Sequence, residues 1–285
     1  MNFPVLAKSP VRLLVRILLA AALLHPVLPA HAEEEVDASA AWEEGVTTGR
    51  TRVFFREEYF TWREYDGGRR LLEETGPRQV LGVDRVFNRE DITFAPSFEF
   101  MFGTVDYDGH TQDGTPATTD VEYRGFTLAG DGGKIFRFSS GGTLEPHLSL
   151  AWESWRRDIK SSGIAIGYVE KWDSFLARGG LRGEIPLGGS DSAVRLHADG
   201  GVEWPFATNN AVNFPGVSGE VTVHPKGQPW PYGEVGISIL RGSVTAAYHG
   251  MRFDPSNPVD IGGGLGLLQP ESQADVYSVT GMFTF

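Results

Sequence analysis

Asp106-Tyr107-Asp108-Gly109-His110 sets two carboxylates and an imidazole within five residues. Asp and His at such spacing are suited to activating water, and Asp-x-Asp-Gly begins as a calcium-binding loop begins. The fragment lacks the glutamate such a loop carries at its twelfth position, and its residues are good turn formers, so a solvated turn is the competing reading. His147 and Ser149 stand two apart, on one face of a strand, but a serine nucleophile needs a base that is itself oriented by a third group, and none is evident. A larger set of charges alternates with apolar residues along extended segments: Glu153, Arg157, Arg178, Arg182, Glu184, Arg195, His197, Asp199, Glu203 and Glu234. Arg, His, Asp and Glu with almost no Lys suit a crowded interior of paired charges. Such residues either fill a narrow barrel or form a constriction that selects solutes. No pattern in the chain asks for a cofactor or a metal ion.

These side chains must be positioned by strands. From Arg52 onward the chain is a series of segments of high β-propensity, separated by Gly, Asp, Pro and Asn clusters. In Ile92–Asp106, Ile92, Phe94, Phe98, Phe100 and Phe102 share one face, opposed by Thr93, Ala95, Ser97, Glu99 and Gly103. In the segment 194–206, Val194, Leu196, Ala198, Val202, Trp204 and Phe206 oppose Arg195, His197, Asp199 and Glu203. The same alternation sets Phe175, Ala177, Leu181 and Ile185 against Ser174, Arg178, Arg182 and Glu184. It sets Leu148, Leu150 and Trp152 against His147, Ser149 and Glu153, and Val235, Ile237 and Ile239 against Glu234 and Ser238. Ten strands are expected, near 51–64, 78–87, 92–106, 119–131, 145–158, 169–185, 193–205, 229–239, 243–253 and 274–285. Eight or twelve stay open, because Glu220-Val221-Thr222-Val223 could add a strand and the second and fourth segments alternate poorly. Folding about residue 188 sets Arg178 opposite Asp199, and Arg182 opposite Arg195. Like charges so placed need acids between them, and Glu184, Glu153 and Glu234 are the candidates.

The two ends of the sequence say where such a chain belongs. Lys8, Arg12 and Arg16 precede the apolar run Ile17–Leu24, and Ala30-His31-Ala32 forms a small-x-small site. This is the pattern of a secretory signal peptide, residues 1–32, cleaved after Ala32. Residues 33–50, opening Glu33-Glu34-Glu35, read as a disordered acidic leader. Without the first 32 residues, three basic side chains are lost, and 22 Lys and Arg face 37 Asp and Glu. That acidic balance argues against nucleic acid as a partner. With no cysteine, disulfides and lipid anchoring are excluded, and no apolar stretch is long enough for a membrane helix.

At the other end, Tyr277, Val279, Gly281, Phe283 and Phe285 alternate with Ser278, Thr280, Met282 and Thr284. An apolar strand face ending on a terminal aromatic resembles the closing strand of Gram-negative outer-membrane β-barrels. Asp106–Thr119 and Trp155-Arg156-Arg157-Asp158 also resemble stretches of small barrels of that class. The resemblance implies a single antiparallel up-and-down transmembrane barrel over residues 51–285, with Phe285 read by the barrel assembly machinery. It implies outer-membrane lipid and lipopolysaccharide as surroundings; it gives no oligomeric state. Both termini then face the periplasm, and the connections 88–91, 186–191 and 240–242 lie on that side. The longer ones, 65–77, 107–118, 159–168, 206–228 and 254–273, lie outside. Large apolar residues, mostly aromatic, fall in two bands: Trp152, Trp204, Phe206 and Phe253 late in upward strands, and Ile92, Phe94, Phe283 and Phe285 at the lower ends. Omptin-type outer-membrane proteases use rim Asp and His residues, and outer-membrane phospholipases place His and Ser two apart. The first resemblance bears on Asp106, Asp108 and His110, the second on His147 and Ser149. The leading expectation is a non-enzymatic barrel, structural, adhesive or a narrow cation-favouring pore. The alternative is a hydrolase at the rim around Asp106, Asp108 and His110.

Overall fold

The computed structural model describes residues 49–111, 114–163, 165–190, 192–213 and 219–285. The expected signal peptide, its cleavage site and the leader up to residue 48 lie outside the described residues, the first of which, Gly49, opens a strand. Ten long strands follow: β1 (Gly49–Asp66), β2 (Arg69–Arg89), β3 (Ile92–His110), β4 (Pro116–Lys134) and β5 (Thr143–Ile159). They continue as β6 (Tyr168–Pro186), β7 (Val194–Asn213), β8 (Trp230–Ile239), β9 (Gly242–Asp254) and β10 (Glu271–Thr284). Each pairs antiparallel with the next. β10 returns to β1, from Arg52↔Thr284 to Tyr65↔Glu271. Every long strand therefore has two neighbours, and the sheet closes into a barrel without a free edge. Glu220-Val221-Thr222-Val223 does not add a wall strand. Val221–Val223 is a short addition along β7, so the count stays at ten.

The strands are longer than their sequence pattern suggests. The expected loop 65–77 contracts to the turn Gly67-Gly68, with φ of 55° and 83°. Positive φ at both central residues is what a tight hairpin of the right-handed twist requires, and glycine adopts it without strain. The loop 107–118 likewise contracts to residues 111–115. The reason lies in an inversion along the strands that flank these turns. In β3, Phe98, Phe100 and Phe102 point outward with Ser97 and Glu99 inward. Further along, Val105 and Gly109 are buried inside while Asp106, Asp108 and His110 are exposed. β2 does the same: Leu81 and Val83 are exposed near one end, whereas Leu72 is buried toward the other. In these two strands parity is kept while chemistry swaps sides, so a reading that follows one apolar face stops at mid-strand.

The two rims differ accordingly. At the terminal rim, where β1 starts and β10 ends, an apolar belt encircles the barrel. It includes Phe55, Phe94 (53% exposed), Leu148 (62%), Ile185, Ile237, Phe283 and Phe285. The final residue is tied in, its N–H donating to the Thr51 carbonyl at 2.9 Å. Toward the far rim the outward face becomes charged, with Arg63 on Glu73 (2.7 Å) and Arg252 on Asp275 (2.6 Å). In the loop after β5, the hydrogen bond to Glu122 raises the pKa of Lys160 above the usual lysine value. Trp204 and Phe206 face outward as expected. Phe253 does not belong to an outer band: it is buried inside the barrel, because it follows Met251 on the inward face of β9, where the interior is apolar.

Candidate functional site in the barrel lumen

The inward faces divide the lumen in two. In the far half, side chains from opposite walls meet across the bore. Trp62 of β1 packs edge-on against Trp172 of β6 at 5.2 Å between ring centroids and lies 6.2 Å from Phe253 of β9. Trp155 of β5 stacks on Trp172 at 5.0 Å. Phe60, Val105, Val121, Tyr123, Ala274 and Val276 complete this packing. Trp62 and Trp172 have no exposed surface at all. Large apolar side chains that reach the axis from several strands fill a small barrel as a core fills a domain.

Set into this core is a charge cluster. Arg157 of β5, wholly buried, donates to Glu64 and Glu170 at 2.9 Å each and to Glu74 through two nitrogens. The Trp62 indole donates to Glu64 and the Trp172 indole to Glu170, each at 2.9 Å, and the Tyr123 hydroxyl donates to Glu74. One guanidinium thus serves three carboxylates, and aromatic N–H and O–H groups supply the remaining donors. Charges out of water are tolerable only when saturated in this way.

In the terminal half the bore opens into a cavity of about 340 Å³. It runs from a roof of Phe60, Trp155, Leu176 and Met251 down to Arg52 and Met282, near the strand ends. Its wall is a network of pairs: Arg52–Asp84 at 2.7 Å, Arg78–Glu58 at 2.7 Å, Arg56 on Glu58 and Glu99, and Arg178 on Glu203. His147 sits between Asp131 (Nδ1, 2.7 Å) and Asp199 (Nε2, 3.0 Å), and the Tyr232 hydroxyl donates to Asp199 at 3.0 Å. Arg182 lies 3.3–3.4 Å from Asp131, Asp199 and Glu145. Tyr232 reaches this network only because Gly180 faces it: a Cβ there would overlap the tyrosine hydroxyl.

The structure brings together most of the charges singled out in the sequence. Glu153, Arg178, Arg182, Asp199, Glu203 and Glu234 line the cavity. Glu184, Arg195 and His197 lie inward near the terminal rim, with Arg195 on Glu184 and His197 Nε2 2.9 Å from Thr245 Oγ1. Arg157 belongs instead to the buried cluster. The register differs from the expected one by four residues: Arg178 faces Glu203, Arg182 faces Asp199, and Arg195 faces Pro186. The cause is the turn, which occupies 187–193 and lets Gly188 and Gly189 take positive φ. Each arginine thereby meets an acid, and the like-charge conflict between Arg182 and Arg195 does not arise. The sequence reading missed Arg56, Glu58, Arg78, Asp131, His249, Glu64, Glu74 and Glu170. Those of β1 and β2 sit among inward apolar residues, and counting every second residue from the outward Val53, Phe55 and Tyr59 would have found Arg56 and Glu58.

His147 and Ser149 both line the cavity, but the histidine's two nitrogens are engaged by aspartates. Asp106, Asp108 and His110 are exposed on the outward face of β3, and among the described residues no side-chain hydrogen bond or ion pair joins them to a partner. No group of three or more His, Asp or Glu that could hold a metal ion occurs among the described residues.

No protein-family model matches the sequence, and no curated protein matches it significantly. Among solved structures, the chain is similar to the outer-membrane protease OmpT of Escherichia coli, with 11% identity and a TM-score of 0.44 over 83% of this chain and 96% of that one. It is similar to an outer-membrane channel of Pseudomonas putida F1, with 11% identity and a TM-score of 0.41 over 85% and 97%. It is also similar to the translocator domain of the autotransporter NalP of Neisseria meningitidis, with 14% identity and a TM-score of 0.40 over 87% and 93%. Likenesses this distant carry no argument about activity or location.

Proposed function

We propose that this chain is an integral outer-membrane β-barrel that conducts little or nothing as folded and serves a structural or adhesive role. The observation that carries the reading is the pairing of an apolar outer belt with a filled bore. Closed barrels satisfy every backbone group without water, which hydrocarbon demands, and an apolar belt below a charged outer face matches a membrane boundary. A water-soluble barrel would instead place this belt against solvent, at a patch size that soluble proteins avoid. The far rim is then extracellular and the terminal rim periplasmic. The packed Trp62, Trp155 and Trp172 favour a structural barrel over the narrow pore; any current that does flow is expected to be carried by cations, given the acidic excess.

Location is tested by fractionation together with gel mobility of unheated and boiled protein. Partition into outer membranes with a heat-dependent shift is expected, and a soluble periplasmic product would overturn the reading. Mass spectrometry of the exported protein should show Glu33 as the first residue. Deleting Phe285 should slow insertion and leave the chain in the periplasm, as a substrate that the assembly machinery reads poorly. Planar-bilayer recordings test the bore: silence is expected over many insertions, and steady open steps would refute the closed state.

A further inference from the structure

The cations of the outward face are distributed unevenly. Toward the far rim most hold a carboxylate: Arg63, Arg156, Lys160, Lys171 and Arg252 each form an ion pair. Arg69, Arg124 and Lys226, which do not, stand on separate strands. At the terminal rim, by contrast, three unpaired cations gather on one stretch of wall. Arg89 ends β2 and Lys134 ends β4, and both are exposed beside Ile92, the residue of β3 that pairs with each of them. Arg85, also exposed, stands four residues back along β2. Among the described residues none of the three has a carboxylate partner. Arg85 lies 5.3 Å from the centroid of the Phe87 ring, and Lys134 lies 5.6 Å from that of Phe136. The acids at hand do not offset them. Asp91 is held by Arg137 at 3.3 Å, which leaves Glu90 in the same turn against three cations. Behind the wall, Asp84, Asp131 and Glu145 are matched by Arg52, His147 and Arg182.

Arg89 and Lys134 stand two strand spacings apart, about 10 Å, with Ile92 between them, so the tips of two long side chains can converge on one phosphate. On the side away from the rim, the outward face passes directly into the apolar belt at Phe94 and Phe98. Side chains cationic at the tip and apolar along the stem suit a boundary between hydrocarbon and water. We propose that this stretch of the terminal rim is a docking surface for an anionic phospholipid, its phosphate held between Arg89 and Lys134 and its acyl chains over Ile92, Phe94 and Phe98. The Arg89 guanidinium can donate two hydrogen bonds to one phosphate, and Lys134 adds a compact positive charge. A zwitterionic phospholipid brings its own ammonium group to a surface already rich in cations, so a lipid of net negative charge is preferred. A free anion would satisfy the cations and leave Ile92 and the phenylalanines uncovered. The inference rests on the membrane reading, which puts this rim at a lipid leaflet, and goes beyond it in naming the lipid charge and the residues that select it.

The test places the full-length mature protein in nanodiscs of phosphatidylcholine with a minor share of phosphatidylglycerol. Native mass spectrometry then counts the lipids that stay bound when the disc is removed. Phosphatidylglycerol is expected to be retained about fivefold above its share of the disc. The double variant Arg89→Gln/Lys134→Gln should retain it only in proportion to that share, whereas Arg124→Gln, on the outer face toward the far rim, should match the unaltered protein. Retention in proportion to the disc by a barrel that shows heat-dependent mobility overturns the proposal, as does unchanged retention by the double variant. Should that variant fail to insert, the two single variants take its place, and full retention by both overturns the site. Displacement of the lipid by an equal concentration of inorganic phosphate would show a site for the free anion instead, and overturns it too. A wrong membrane reading shows differently: the exported protein then fractionates as soluble, whatever lipid it retains in discs.

Discussion

The two halves of the lumen solve opposite problems with the same residue types. In the far half Arg157 is dry, enclosed by tryptophans, and bound to three carboxylates at once. In the terminal half Arg178 and Arg182 each keep more than a third of their side chains exposed within a cavity lined by polar groups. An ion pair in the first setting is part of a packed core, where losing one member strands the others. In the second, water can replace a lost partner. The contrast teaches that position along the bore, more than the pair itself, decides what a charge is worth.

The largest test of this contrast is Arg157→Leu. It leaves Glu64, Glu74 and Glu170 without their shared cation, and a loss of about 3–5 kcal/mol is expected in guanidinium unfolding; a loss below 1 kcal/mol would mean the far half is wetter than its packing implies. Trp172→Ala removes the ring on which Trp155 stacks and against which Trp62 and Phe253 pack, at about 3 kcal/mol. It should also convert silent bilayers into ones showing current steps. Glu203→Gln in the cavity is expected to cost only about 1–2 kcal/mol, because Arg178 keeps access to water. Gly180→Ala presses on the Tyr232 hydroxyl and on the Gly200 carbonyl together, at about 1–3 kcal/mol, visible as altered near-ultraviolet circular dichroism. Asp106→Ala and His110→Ala, outside both halves, should stay within about 0.5 kcal/mol, and a marked loss would reveal a partner for the rim residues.

The same contrast explains what could be read from the sequence. The terminal half was legible, because outward Phe98, Phe100 and Phe102 or Val235 and Ile237 alternate with polar residues in the sense a barrel demands. The far half was not, because there the apolar residues turn inward. Leu72 and Val105 belong to the core, and their outward neighbours Glu73, Asp106 and Asp108 imitate loop composition. Alternation therefore places strand borders short, at 64, 78 and 106, and puts Phe253 in an outer band. Most of the site charges were visible as residues, yet their partners depend on register. Register here was set by a glycine-bearing turn at 187–193 that alternation alone does not measure.

Trp62 and Phe253 touch, although they stand near opposite ends of the barrel sequence. Between them runs the seam where β1 meets β10, and Ala274 and Val276 pack into the same core from the last strand. The lid of this vessel is thus assembled from the first wall plank and the last. It cannot be fitted beforehand, nor left off once the staves are joined. Completing the wall and stopping the bore are one event, and a chain that finishes its barrel has, in the same motion, shut it.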